Sequence, residues 1–313
     1  MTPADPAYEI RTLSDSSPGD RRLDRLTGVA SVIVGHRQAR PSLEGTGAGS
    51  GCPFCVGGLE APDDYDVAWF PNRWPALPGG VCEVVLYTPE HEATFWSLGI
   101  GGATKVIELW ASRCQALASL DRVKYVQVFE NRGPEAGATV SHPHGQIYGF
   151  DTVPPVVLTE LTNGNAERDL CPLCSPTDDA LVVSVAGGWR AWVPEAAGYP
   201  FELRIAPVDH IPDLPSVGDV GVRDAAAVLV DSLARLDQLF GVPMPYMLWW
   251  HQRPCDGGTW PRAHVHAHVA ALLRSPGVQR YVAGVELGTG ILFNPIVPED
   301  AAARLRTQAG ARA

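Results

Sequence analysis

The chain carries one pattern twice, and this repetition limits the folds open to it more than any other feature. Each copy runs Cys-X-X-Cys, then a histidine 36 residues past the second cysteine, then a His-X-His dyad. The first copy is Cys52/Cys55, His91 and His142-Pro-His144; the second is Cys171/Cys174, His210 and His264-Val-His266. From the lone histidine to the dyad the intervals are 51 and 54 residues. The segments leading into the lone histidines also match, EVVLYTPEH (83–91) against ELRIAPVDH (202–210). Self-similarity over such a span marks two copies of one supersecondary unit.

Between the motifs, 103–120 (ATKVIELWASRCQALASL) and 224–240 (DAAAVLVDSLARLDQLF) carry apolar residues at helical spacing. YVQVFE (125–130) and YMLWWH (246–251) follow them as strands. Each half therefore reads strand, strand, helix, strand, strand. That is an α+β unit with a mostly antiparallel sheet, repeated about an internal pseudo-two-fold. The expected halves are 1–160 and 161–313, with loops around 44–51 and 162–170 and a helix end or tail in the last dozen residues.

With 313 residues, 45% of them hydrophobic, the chain can bury a large core. A net charge of −11 argues against a nucleic-acid groove, which needs clustered Lys and Arg. The first twenty residues hold no apolar signal core, and no run approaches the roughly 20 apolar residues of a membrane helix. The expectation is a cytoplasmic protein with no membrane partner. In that compartment Cys-X-X-Cys more often binds metal or does redox chemistry than forms a structural disulfide.

Two cysteines at this spacing plus two histidines suit tetrahedral zinc. The expected sets are Cys52, Cys55, His91 and His142, and then Cys171, Cys174, His210 and His264. Four protein ligands leave no position for a reacting water, so both sites are expected to be structural.

In the stretch SHPHGQIYGF (141–150), an extended strand would put His142, His144 and Gln146 on one face. With His142 given to metal, His144 is the candidate nucleophile, because a neutral imidazole attacks phosphorus and a nucleotidylated histidine passes its cargo on. Gln146 can donate to a phosphoryl oxygen. Gly133 and Gly137 lie just upstream, where exposed backbone N–H groups can cradle phosphate.

These residues resemble a known family. ENRGPEAGATVSHPHGQ (130–146) is similar to the active-site signature of the galactose-1-phosphate uridylyltransferases, a branch of the histidine-triad superfamily. DRLTGVASVIVGHRQARP (24–41), CPFC, FPNRWPAL (70–77), HVHAHVAALLRS (264–275) and RYVAGVELGTG (280–290) resemble its other segments in order. The resemblance implies ping-pong exchange of UMP between UDP-glucose and galactose 1-phosphate through a uridylyl-histidine, in a homodimer with composite sites. It implies His144 as nucleophile and Gln146 as holder of the phosphoryl oxygens. Asn131, Gly137 and Thr139 match phosphate-binding positions, Asn72 a nucleotide-binding one, and Arg37 and Arg40 the arginines of the N-terminal segment. Arg280 and Tyr281 lie where a second subunit's contribution to the sugar site is expected. The resemblance also implies a further iron or zinc site from Glu160, His251, His266 and His268.

The second Cys-X-X-Cys aligns the chain with two-zinc members, including nucleotide-sugar phosphorylases, which use the same nucleophile with inorganic phosphate. A hydrolase is disfavoured, since the active triad ends in Gln146 rather than a third histidine. A zinc-stapled module that binds nucleotides without turning them over is the alternative from a different class.

Overall fold

The computed structural model describes residues 19–39, 51–162, 171–175, 177–308 and 310. Arg40, the 44–50 stretch and residues 163–170 lie outside the described residues. Nine strands make one antiparallel sheet: Ala68–Pro71 (β3), Cys82–Leu86 (β4), Tyr125–Arg132 (β5), His144–Phe150 (β6), Val182–Ala186 (β7), Trp189–Trp192 (β8), Leu203–Pro207 (β9), Tyr246–His251 (β10) and His266–Ala271 (β11). A hairpin, Asp20–Leu23 (β1) and Ala30–Ile33 (β2), precedes them; Leu273–Ser275 (β12) and Val278–Gln279 (β13) form another after them.

The order across the sheet is β3-β4-β6-β5-β10-β11-β9-β8-β7. Read outward from the β5–β10 seam, β5, β6, β4 and β3 mirror β10, β11, β9 and β8, with β7 added at one edge. The pseudo-two-fold therefore passes through the seam, and the two halves share a sheet. At the seam Leu248 faces Glu130 and Trp249 faces Phe129.

Helices Gly99–Ala118 (α1) and Asp219–Gln238 (α3) pack against each other and against one face of this sheet. Each starts four or five residues earlier than the periodicity predicts. The extra turns hold Gly99, Gly101 and Gly102 in α1 and Gly221 in α3, low-propensity residues that hide a helix start. Among the described residues the other α-helices are Pro155–Thr162 (α2), Gly284–Thr289 (α4) and Pro298–Thr307 (α5). Among the described residues no helix is long and apolar enough to cross a membrane.

Strand alternation sorts the residues into two layers. Val126 and Val128 of β5, Ile147 of β6, Leu248 and Trp250 of β10, and Ala267 and Val269 of β11 enter the core under α1 and α3. Their neighbours, among them Asn131, His144, Gln146, His251, His266 and His268, consequently point to the opposite face. The polar chemistry is thereby collected on the face without the long helices. Helix α2 runs through the expected boundary at 160, and its Glu160 reaches histidines of the second half.

Candidate active site and metal centres

The first repeat builds a cleft of about 350 Å³, lined by Phe54, Asn72, Trp74, Thr139, His144 and Gln146 among others. His144 opens β6 and is only 9% exposed. Its Nδ1 lies 2.8 Å from the carbonyl oxygen of His142. A carbonyl can only accept, so Nδ1 carries the proton and the ring lone pair sits on Nε2. Phe54, inside the Cys52-X-X-Cys55 loop, meets the ring edge-on, with centroids 5.0 Å apart. The loop that carries the clustered cysteines thus also braces the nucleophile candidate.

Phe54 meets the His142 ring as well, edge-on at 6.3 Å. Pro143 has no N–H to give a ladder, so the strand begins at His144 and His142 lies ahead of it. Gly145, between His144 and Gln146, packs against the Tyr87 hydroxyl so closely that a Cβ there would collide with it. Gly137 ends a short 3-10 turn at φ +77°, a left-handed conformation that suits glycine.

Gln146 Oε1 accepts from Asn72 Nδ2 at 3.1 Å and from the Tyr148 hydroxyl at 3.0 Å. Arg37 donates to that hydroxyl at 2.7 Å and to the Trp74 carbonyl at 2.9 Å. Thr139 lines the cleft with its Oγ1 buried and unbonded. Asn131 sits on β5 at the seam, opposite Met247.

Arg280 and Tyr281 do not line this cleft. Arg280 is 6% exposed and makes a two-pronged pair with Glu286 of α4, whereas Tyr281 is 74% exposed. Arg40 lies outside the described residues.

All twelve expected metal ligands come together in the expected sets of four, each with its ligand atoms within 4.8 Å of one another. In the first, Cys55 Sγ lies 3.3 Å from His91 Nδ1 and 3.7 Å from His142 Nδ1. In the second, Cys174 Sγ lies 3.3 Å from His210 Nδ1 and 3.5 Å from His264 Nδ1. Usual Zn–S and Zn–N lengths give a tetrahedral S···N edge of about 3.6 Å, so the donors fit zinc. Nε2 of His142 lies 2.8 Å from the Thr88 carbonyl, and Nε2 of His264 3.1 Å from the Pro207 carbonyl. Each contact puts the proton on Nε2 and turns an unprotonated Nδ1 toward the sulfurs. The first cluster is wholly buried; in the second, Cys174 and His210 are exposed.

In the third cluster Glu160 Oε2 lies 2.6 Å from His251 Nδ1 and 3.4 Å from His266 Nε2, and Oε1 lies 3.6 Å from His268 Nε2. Burial alone would raise Glu160, but its contacts with His251 and His266 hold its carboxyl far below the usual range. Burial, then the adjacent His266 and His251, push His268 down to about 2. Its Nε2 is buried with no hydrogen-bond partner. A carboxylate, three imidazoles and an orphaned ring nitrogen fit a divalent transition metal.

The lone cysteines Cys82 and Cys114 are buried and Cys255 is half-buried, none in a metal cluster. Phe54, Trp74 and Tyr148 are site residues that the motif spacing does not single out. Tyr148 was within reach of it, since the alternation that pairs His144 with Gln146 extends to position 148.

Known proteins match most of the chain. A model of the N-terminal domain of galactose-1-phosphate uridyl transferase matches residues 74–154, and one of its C-terminal domain matches 175–311. Galactose-1-phosphate uridylyltransferase of Thermotoga maritima is 34% identical, over 91% of this chain and 97% of that one. ADP-glucose phosphorylase of Arabidopsis thaliana is 29% identical over 82% of each. A solved uridylyltransferase superposes with a TM-score of 0.81 at 29% identity, over 91% of this chain and 97% of that one. The Arabidopsis thaliana ADP-glucose phosphorylase with bound ADP-glucose superposes at 0.76 and 26% identity, over 93% and 99%.

Proposed function

This chain belongs to the galactose-1-phosphate uridylyltransferase family, and from that premise we propose that it exchanges UMP between UDP-glucose and galactose 1-phosphate through a covalent intermediate on His144. The observation that carries the reading is the bond from His144 Nδ1–H to the His142 carbonyl, which leaves the attacking lone pair on Nε2. Nε2 attacks the α-phosphorus of UDP-glucose; an N–P bond forms as the bond to the bridging oxygen breaks. Glucose 1-phosphate departs with that electron pair. A phosphate oxygen of galactose 1-phosphate then attacks the same phosphorus, the N–P bond breaks, and UDP-galactose leaves a neutral imidazole behind. Gln146 donates to the non-bridging oxygens, whose charge grows in each transition state. Asn72, Asn131, Thr139 and the Gly133–Gly137 turn hold the nucleotide phosphates.

Cys52, Cys55, His91 and His142 would hold one zinc, and Cys171, Cys174, His210 and His264 another, each stapling its loop to the sheet. Glu160, His251, His266 and His268 would hold iron or a third zinc. The protein works as a cytoplasmic homodimer. Exposed Tyr281, Leu287, Ile291 and Phe293 support a subunit contact along the C-terminal segment.

A second reading is favoured by the second Cys₂His₂ cluster and by the likeness to ADP-glucose phosphorylase: the same nucleophile, with inorganic phosphate as acceptor. One experiment tests both. The protein is incubated with UDP-glucose alone and its intact mass recorded beside His144→Ala. A gain of one uridylyl group by the wild type only is the expected result, and no gain overturns the proposal. Adding galactose 1-phosphate or inorganic phosphate to the loaded protein then identifies the acceptor by which one discharges it.

A further inference from the structure

Gln146 is useful to a phosphoryl group in only one of its two amide orientations. With Nε2 toward the cleft it offers donors to anionic oxygens; with Oε1 there it repels them. Two chains of obligate donors choose between these.

The first chain starts at a backbone N–H. Trp74 N donates to Asn72 Oδ1 at 2.8 Å, so Asn72 must turn its NH₂ outward, and that NH₂ donates to Gln146 Oε1 at 3.1 Å. The second starts at Arg37. A guanidinium has no acceptor, so its 2.7 Å contact makes the Tyr148 hydroxyl an acceptor there. The phenolic proton is thereby directed to Gln146 Oε1, 3.0 Å away. Tyr148 is 8% exposed, on the same face of β6 as His144 and Gln146, and does not line the cleft. Arg37 is itself held by the Trp74 carbonyl at 2.9 Å. Both chains end on one oxygen, and both are anchored on the backbone of Trp74.

We infer that Tyr148, directed by Arg37, is a positioning residue that holds the Gln146 amide with its N–H groups toward the reacting phosphoryl group. The inference rests on the reading of His144 as nucleophile. It assigns Arg37 a role through Tyr148 rather than by direct contact with the substrate. Tyr148→Phe removes one of the two donors on Oε1 while keeping the ring, so the flipped amide becomes accessible.

The test is the single-turnover rate of uridylyl uptake from UDP-glucose, with UDP-glucose affinity measured separately. Tyr148→Phe is expected to slow uptake about tenfold, the loss of one hydrogen bond to a charge-stabilising group, with affinity changed by less than about twofold. In a double-mutant cycle, Arg37→Ala in the Tyr148→Phe background is expected to cost less than about a further twofold, since Arg37 acts through the missing hydroxyl. If Arg37 grips phosphate directly, that same step weakens UDP-glucose binding several-fold, and the inference falls. The second arm uses Gln146→Ala. With no amide left to orient, adding Tyr148→Phe leaves the rate unchanged, whereas another roughly tenfold loss overturns the inference. Absence of any adduct on the wild type would overturn the proposed function itself, whereas an adduct formed at equal rates by wild type and Tyr148→Phe would overturn only this inference.

Discussion

Strands β6 and β11 are the same backbone device used twice, in different surroundings. In both, the middle histidine donates from Nδ1 to the carbonyl two residues back, His144 to His142 at 2.8 Å and His266 to His264 at 2.7 Å. In both, the preceding histidine turns Nδ1 to a Cys-X-X-Cys pair. The difference lies at the third position and above it. Gln146 ends the first triad beside a cleft; His268 ends the second, and Glu160 of α2 packs against it. An amide beside a lone pair suits a phosphoryl group. A third imidazole and a carboxylate beside the same lone pair suit a metal ion. One residue in the strand and one on an incoming helix thus give the two triads different donor sets on a shared backbone.

The sharpest way to break this comparison is to remove each middle histidine. His144→Ala is expected to lose uridylyl transfer by on the order of 10⁶-fold. His266→Ala is expected to keep adduct formation on His144 while losing one metal equivalent, read by elemental analysis. Equal losses of transfer in the two variants would mean that the second triad takes part in the chemistry.

Zinc release sharpens the comparison further. The first Cys₂His₂ cluster is buried and braces His144 through Phe54; the second exposes Cys174 and His210. A chelator followed with a chromogenic zinc indicator is expected to withdraw one equivalent rapidly, with transfer retained, and a second slowly, with transfer lost. Cys174→Ser should abolish the fast phase alone, and Cys55→Ser should lower the melting temperature more than Cys174→Ser does.

The smallest effect belongs to the seam between the halves. Glu130 of β5 is fully buried and accepts from the Tyr246 hydroxyl of β10 at 2.7 Å, while Arg132 pairs with Asp237. Burial raises the Glu130 carboxyl to about 7 from an ordinary 4.5. The folded protein therefore holds this proton where the unfolded chain has lost it. The contribution is present in full below about pH 4.5 and is lost as pH rises through about 7. It amounts to roughly 3 kcal/mol at most. Glu130→Gln is expected to flatten the fall in unfolding free energy between those limits, measured by denaturant titration at several pH values. An unchanged slope would show that the seam carries no such proton.

Much of this was legible from sequence because it rests on short-range rules. Spacing and alternation alone collect His142, His144 and Gln146 near one another, and the duplicated interval pairs each Cys-X-X-Cys with its histidines. Helices α1 and α3 were visible as apolar stripes, short by a turn where glycines mask the start. The contacts that tune the site were not legible. Arg37 reaches Tyr148 across 111 residues, and Tyr246 reaches Glu130 across 116. No local period encodes either, because each depends on how the hairpin segment and the two half-sheets dock.

By itself, then, the sequence determined the repeated unit, the candidate metal-ligand sets and the candidate nucleophile, since donor type and strand or helix period are properties of neighbouring residues. Only the tertiary structure decided which triad meets a carboxylate. It joined the halves at β5–β10, laid α2 and Glu160 over the second triad, and aimed Arg37 through Tyr148 at Gln146. Those outcomes depend on chain segments meeting across the sheet, where burial and obligate donors, rather than local spacing, fix the direction of each proton.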